Sequence, residues 1–197
     1  MSINTQITTY FSRHRQVIED VSLQLEPQIA RCAELLVTAL TRGNKILIAG
    51  NGGSAADAQH FAAELVGRFL KERRALPAIS LTTDSSILSA VANDYGFDQV
   101  FSRQVEALAN AGDVVIGIST SGNSANIIAA LDAARQSGCV TIALLGRDGG
   151  AIASRVDLPL IVTSFDTPHI QEAHVTIIHL LCLLIEEKLF PPSSATL

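Results

Sequence analysis

Two hydrophobic rhythms divide the chain. Over 5–24 and 27–42 apolar side chains recur every three or four positions: Ile7, Phe11, Val17, Val21 and Leu25, then Ile29, Cys32, Leu35, Leu36 and Leu40. That spacing predicts two amphipathic helices, separated at Pro27. From Lys45 onward, short apolar runs alternate with helical stretches. Strands are predicted at 45–49, 77–82, 113–119, 139–145 and 158–163, with helices between them at 54–70, 84–93, 98–109 and 124–137. A last helix is expected over 168–189, with Thr167 as its cap and Pro168 in its first turn. Strands apolar along nearly their whole length, alternating with helices, fit a parallel sheet covered on both faces. The expected fold is α/β, a doubly wound five-stranded parallel sheet with an N-terminal helical arm. One unit accounts for 1–197: helices in 1–42, the sandwich over 43–190, and a tail from 191 whose Pro191-Pro192-Ser193-Ser194 is expected to fray.

In doubly wound sheets ligands bind at the carboxyl ends of the strands. Two distinctive loops fall there. The first, Gly50-Asn51-Gly52-Gly53-Ser54, leaves the strand ending at Ala49 and enters a helix. The second, Ser119-Thr120-Ser121-Gly122-Asn123-Ser124, leaves the strand 113–119 and enters the next helix. Hydroxyls and free backbone N–H groups at a helix N-terminus suit an anion without Lys or Arg, and Gly122 allows the tight turn. The same residues would also serve as an ordinary cap and turn; the position across from the first loop favours phosphate. Neither loop carries the Gly-Lys-Ser/Thr of a P-loop or the glycine spacing of a dinucleotide fold, which argues against ATP and NAD.

Composition narrows the class. The 197 residues are 48% hydrophobic, ample for a core, and 17% charged, a low share that hints at surface buried between subunits. A net charge of −5 argues against a general nucleic-acid or membrane-surface binder. Cys32, Cys139 and Cys182 form no CxxC pair and read as buried free thiols in a reducing compartment. The N-terminus lacks the apolar core of a signal peptide, and the apolar run from Ile177 to Ile185 is interrupted by His179 and too short to span a bilayer. A cytoplasmic protein is expected.

His60 and Glu64 are four residues apart and share one helix face, one turn beyond the first loop. They are a candidate metal or acid–base pair. The last helix offers Gln171, Glu172, His174 and His179. His179 sits inside an apolar run, where burial without a partner would be costly. Gln171 and His179 are eight residues apart, about 12 Å of helical rise, so the two can hardly reach one ion. If both serve one kind of site, they serve two copies of it, or one is lent by another subunit. The cluster Arg68, Lys71, Arg73 and Arg74 reads as a solvated helix end, with Arg68, one turn past Glu64, placed to draw in a phosphate.

The two loops resemble those of sugar-isomerase (SIS) domains. More narrowly, Asp57-Ala58-Gln59-His60-Phe61-Ala62-Ala63-Glu64, Ala92-Asn93-Asp94-Tyr95-Gly96-Phe97 and Ile170-Gln171-Glu172-Ala173-His174 resemble the phosphoheptose isomerases. The resemblance runs from the N-terminal helices to about Phe190. It implies a flavodoxin-like SIS fold and a homotetramer with active sites between subunits. The implied activity is interconversion of sedoheptulose 7-phosphate and D-glycero-D-manno-heptose 7-phosphate, the first step toward ADP-heptose for lipopolysaccharide. It implies zinc on His60, Glu64, Gln171 and His179. It implies phosphate on Ser54, Ser119, Ser121 and Ser124 with Thr120 lining the loop, and sugar contacts from Asn51, Gly52, Gly53, Asn93 and Asp94, with Glu64 and Gln171 also touching substrate. Aldose–ketose isomerisation through an enediol needs a base at carbon and an acid for the oxygens, roles that fall to Glu64 and His179. A carboxylate held tightly by zinc is a weaker base, so either Glu64 shifts its coordination during turnover or the metal is mainly structural. Gln is also an unusual zinc ligand.

Two other readings compete. The DnaA initiator-associating branch of the same fold resembles this chain over the same span, including Leu180 to Ile185 and Leu189-Phe190-Pro191. It acts by binding a replication initiator and lacks the residues matching Glu64 and His179, both present here. Sugar-phosphate-sensing SIS modules usually accompany a DNA-binding or second catalytic domain, for which this chain has no room.

Overall fold

The computed structural model describes residues 1–191. Of the stretch expected to fray, 192–194 lies outside the described residues. Helix α1 (Ile3–Gln24) starts at Ser2, whose hydroxyl accepts a hydrogen bond from the Thr5 amide. It is followed after one residue by α2 (Glu26–Thr41). Pro27 therefore lies in the first turn of α2, where its missing N–H costs nothing, and the break falls at Leu25.

The sheet comprises β1 (Ile46–Gly50), β2 (Ala78–Ser80), β3 (Val114–Ser119), β4 (Val140–Gly146) and β5 (Leu158–Val162). All pairings are parallel, in the order β2-β1-β3-β4-β5. Successive side chains of a strand point to opposite faces. Ile46 and Ile48 join Val114, Ile116 and Ile118 in a core covered by α1, α2, α3 (Gly53–Val66) and α7 (Thr167–Leu189). Leu47, Ala49 and Val115 face the other way, onto α5 (Ser102–Leu108) and α6 (Ala125–Gln136). Half-buried Leu88, Val91 and Ala92 of α4 (Ser85–Tyr95) pack on that second core.

Three expectations shift. The helix expected to 70 ends at Val66, and 67–74 turns away as a loop. The helix expected over 98–109 begins as a 3-10 turn at Phe97–Gln99 and becomes α5 only at Ser102, once Val100 and Phe101 are buried in the second core. Asp166, not Thr167, occupies the cap position of α7, although Pro168 lies in the first turn as expected. At 23 residues α7 is long and apolar enough to cross a membrane, but half of its most apolar stretch is buried, as in a core helix. Ile170, Ala173, Ile177, Ile178, Leu181 and Ile185 lie in the first core.

Where β3 meets α6 the packing leaves no room at Gly117. A Cβ there would lie 2.6 Å from Cγ2 of Ile127 and 3.0 Å from Cδ1 of Leu131. Gly117→Ala should therefore destabilise the protein by about 1–3 kcal/mol in urea unfolding, the cost of overpacking a dense core. An unchanged midpoint would mean that α6 repacks freely.

Candidate active site

The strand order reverses direction between β1 and β3, and the loops after these two strands stand side by side at that point, the usual crevice of an open α/β sheet. The first loop turns at Gly52, whose φ of +56° favours glycine. Gly52 also starts α3, with no side chain capping its first amides. The Asn51 side chain does not reach out from this loop. Its Nδ2 donates to Oδ1 of Asn126 and its Oδ1 accepts from Nδ2 of Asn126, both at 2.9 Å. This reciprocal amide pair ties the first loop to the start of α6. Asn126 is buried and carried no signal in the sequence.

In the second loop the hydroxyls of Ser119 and Ser124 meet at 2.9 Å, and Ser121 lies 3.5 Å from Ser119. Ser124 occupies the cap position of α6, but its side chain makes no capping bond. The turn is held from behind: Gly122, at φ +68°, packs so closely on Gly149 that a Cβ would collide with the Gly149 carbonyl. Thr120 is half-buried beside it and Ser54 is buried at the start of α3. Clustered hydroxyls beside an uncapped helix start make an anion cradle.

His60 and Glu64 lie on α3 below the first loop, and His179 comes to them from α7. The Nε2 atoms of His60 and His179 are 2.8 Å apart, and Nε2 of His60 is 3.6 Å from Oε1 of Glu64. The ring of Phe69 lies over His179 at 5.5 Å between centroids. Gln171 does not join this group. Its amide lies against Gly53, close enough to collide with any Cβ there. It also reaches Asp57, whose carboxyl is raised by burial, with the Gln171 amide and His60 acting in the opposite sense. Oδ2 of Asp57 is buried without a hydrogen-bond partner. The structure thus separates Gln171 and His179 along α7, as their spacing implied.

Other expected residues stand apart. Asn93 and Asp94 are exposed near the end of α4 and bond to each other at 2.8 Å. His174 is fully buried, and burial pushes its imidazole down to about 4, so it is a neutral core residue bonded to the Leu145 carbonyl. The three cysteines are free and buried, and burial pushes the thiols of Cys32 and Cys182 up to about 12. Among the described residues, the grouping of His, Cys, Asp or Glu whose ligand atoms lie close enough for one metal ion is His14, His169 and Glu172, not the His60 group.

The basic cluster after α3 is not a solvated helix end. The side chains of Arg73 and Glu186 are both 1% exposed and pair at 3.0 Å. Glu186 also accepts the amides of Phe69, Leu70 and Lys71 at 2.8–2.9 Å. The remaining guanidinium nitrogens of Arg73 donate to the carbonyls of Glu64, Leu65, Gly67 and Arg74. One buried carboxylate of α7 therefore folds 67–74 around itself and sets Phe69 on His179. Arg68 stays exposed, 3.7 Å from Glu72. Glu186, one of two adjacent acids at the end of an apolar helix, gave no hint of this.

Burial works to raise the Glu186 carboxyl; the amides of Leu70, Phe69 and Lys71 and the Arg73 charge outweigh it and hold it below the ordinary carboxylate range. A depressed folded value stabilises above the unfolded value and is lost as pH falls through the folded one. The contribution is thus whole at neutral pH and fades below about pH 4.3. Glu186→Gln, which strands Arg73, should cost about 3–5 kcal/mol at pH 7 and flatten the acid limb of a stability–pH curve. An acid limb identical to wild type would show that Glu186 is not its source.

A family model described as "SIS domain" matches residues 9–146. The chain is 63% identical over 185 residues to the phosphoheptose isomerase of Geobacter sulfurreducens, covering 94% of this chain and 98% of that one. It is 60% identical over 188 residues to that of Geobacter metallireducens, covering 95% and 100%. A solved phosphoheptose isomerase from Neisseria gonorrhoeae superposes with a TM-score of 0.90 at 46% identity, over 94% of this chain and all of that one.

Proposed function

The chain belongs to the phosphoheptose isomerase family of SIS-domain proteins, and from that premise we propose that it interconverts sedoheptulose 7-phosphate and D-glycero-D-manno-heptose 7-phosphate in the cytoplasm. This is the entry step to ADP-heptose for lipopolysaccharide. The observation that carries the reading is the hydroxyl cluster at the starts of α3 and α6 together with the His60–His179 pair further along α3. His60 is six residues along α3 from Ser54, about 9 Å of rise. A heptose held by its phosphate at Ser54, Ser119, Ser121 and Ser124 extends C1 and C2 toward that pair.

Glu64 takes the proton from the carbon beside the carbonyl and returns it to the neighbouring carbon. His179 supplies and removes the proton on the oxygens. Both act as positioned general acid–base groups. Phe69 shields one side of the His179 ring and so limits water at the proton-transfer step. His60, His179 and Glu64 are residue types that zinc takes, and the family pattern would add Gln171. The ligand atoms of the His60 group are spread wider than one ion needs, so holding zinc would require Glu64 to draw in toward His179, with Gln171 lent by another copy. A bound zinc ion would supply polarisation of the substrate oxygens.

A homotetramer with shared sites accounts for several surface features. The apolar stripe of α1 leaves Ile3, Ile7 and Phe11 exposed. An apolar groove of about 430 Å³ runs between α1, α2 and α7, lined by Ile18, Val21, Ile29, Ile177, Leu180 and Leu184. A second copy would cover both, and would allow Gln171 and His179 to serve different sites. Light scattering on the purified protein should give four chains per particle, and a fully active monomer would refute shared sites.

The activity test is turnover of sedoheptulose 7-phosphate after chelation, with and without added zinc. Restoration by zinc is expected. Glu64→Gln should lower kcat by roughly 10²–10⁴-fold with the fold intact, and His179→Gln should act likewise. Normal turnover by Glu64→Gln would remove it from the mechanism. No turnover with any metal would overturn the isomerase reading in favour of binding to the DnaA initiator.

A further inference from the structure

A second group of metal-type donors stands between α1 and α7, away from the His60–His179 pair. Nδ1 of His14 and Nδ1 of His169 lie 2.8 and 2.9 Å from one oxygen of Glu172, Oε2. The other oxygen, Oε1, accepts the hydroxyl hydrogen of Tyr10. The Tyr10 ring also packs on His169, with centroids 4.4 Å apart. The two ring nitrogens and the carboxylate oxygen all lie within 4.8 Å of one another.

Two protons shared between the imidazoles and Glu172 would account for the contacts alone. The surroundings match an ion better in three respects. First, Tyr10 occupies Oε1 and leaves Oε2 as a single oriented donor; ligating carboxylates are typically held by such an outer hydrogen bond. Second, the donors sit on packed helices: His169 and Glu172 are three residues apart at the start of α7, and His14 is on α1. Third, the His169 side chain is 4% exposed while those of His14 and Glu172 are 33% and 35% exposed, so the group has one dry wall and one side open to water. Bonds of 2.0–2.2 Å in a tetrahedral site put ligand atoms roughly 3.3 Å apart, so each imidazole would draw back from Oε2 by about half an ångström to admit an ion. The positive end of α7 opposes a cation, and the carboxylates of Glu172 and Asp166 offset it.

We propose that His14, His169 and Glu172 form a second divalent-cation site for an ion of the zinc class, with water completing the coordination, which pins the N-terminal helix to α7. It shares no ligand with the His60 group. Glu172 and His179 are about 10 Å apart along the helix axis. Gln171, next to Glu172, faces Gly53 instead of α1.

The test counts ions. Chelator-stripped full-length protein is dialysed against Zn²⁺ and assayed for bound metal, with Co²⁺ absorption as a second readout of coordination. Each group should hold one ion, so wild type should bind about two per chain, His14→Ala about one, His60→Ala about one, and the double variant none. Tyr10→Phe, which keeps all three ligands, should weaken only the second ion, by roughly 10–100-fold. His14→Ala should keep wild-type turnover. A metal count unchanged by His14→Ala overturns the proposal, as does a wild type whose ions all vanish in His60→Ala. A single ion lost in His14→Ala and kept in His60→Ala supports this site and removes zinc from the other.

Discussion

All five strands run in one direction, and the rest of the molecule depends on that constraint. Parallel neighbours cannot be joined by a hairpin, so each connection crosses a face, as helices except between β4 and β5, where a loop with one 3-10 turn at Ala153–Arg155 suffices, and every strand ends at the same edge. In the order β2-β1-β3-β4-β5 the chain leaves β1 toward one side and β3 toward the other. The loops after these strands stand together because the topology splays the helices apart there. The Asn51–Asn126 amide pair then fixes the distance between the two loops. Hydroxyls from two separate loops come together at that edge, and α3, which starts there, carries His60 on to meet His179.

Helix α7 supplies the second half of that edge, and it has two duties. One face is core: Ile170, Ala173, Ile177, Ile178, Leu181 and Ile185. The other sends polar groups to α3 and α1 at intervals: Glu172 to Tyr10 and His14, Gln171 to Gly53, His179 to His60, and Glu186 to the 67–74 loop. An apolar face locked against the sheet is what gives these polar groups fixed positions. Glu186 carries this furthest. A buried carboxylate must be satisfied, and it is satisfied by three amides and a guanidinium that would otherwise belong to a loose loop. Ordering Phe69 over His179 follows from that requirement.

The strands were legible because buried parallel strands are apolar along their whole length; even β2, three residues long, fell inside its expected range. The two loops were legible as turns leading from a strand into a helix, because glycine and serine gather where the chain must turn and a helix must start. Helix ends were less so. Val66 ends α3 because Gly67 follows and the Glu186 carboxylate offers the next amides a better partner than another helical turn. That partner lies over a hundred residues away, and no local pattern encodes it. Arg73 misled for the same reason: a run of basic residues reads as solvated unless the buried acid that pairs with one of them is known. His14 lay in a polar stretch of α1, and its meeting with Glu172 depends on how α1 crosses α7, which periodicity does not specify.

The N-terminal arm shows where a single chain stops explaining itself. An amphipathic helix forms to bury its apolar stripe, and in α1 only Val21 is buried. Ile3, Ile7 and Phe11 gain nothing from the fold of their own chain. With charged residues at 17%, the surface has fewer of the groups that keep an exposed apolar helix in solution. Burial of that stripe by further copies, as proposed above, would resolve the imbalance, and would do so within reach of the same helix, α7, that carries Gln171 and His179. The features that are uneconomical in one chain and the residues of the proposed site that do not converge in one chain lie on the same two helices, so one assembly would answer both.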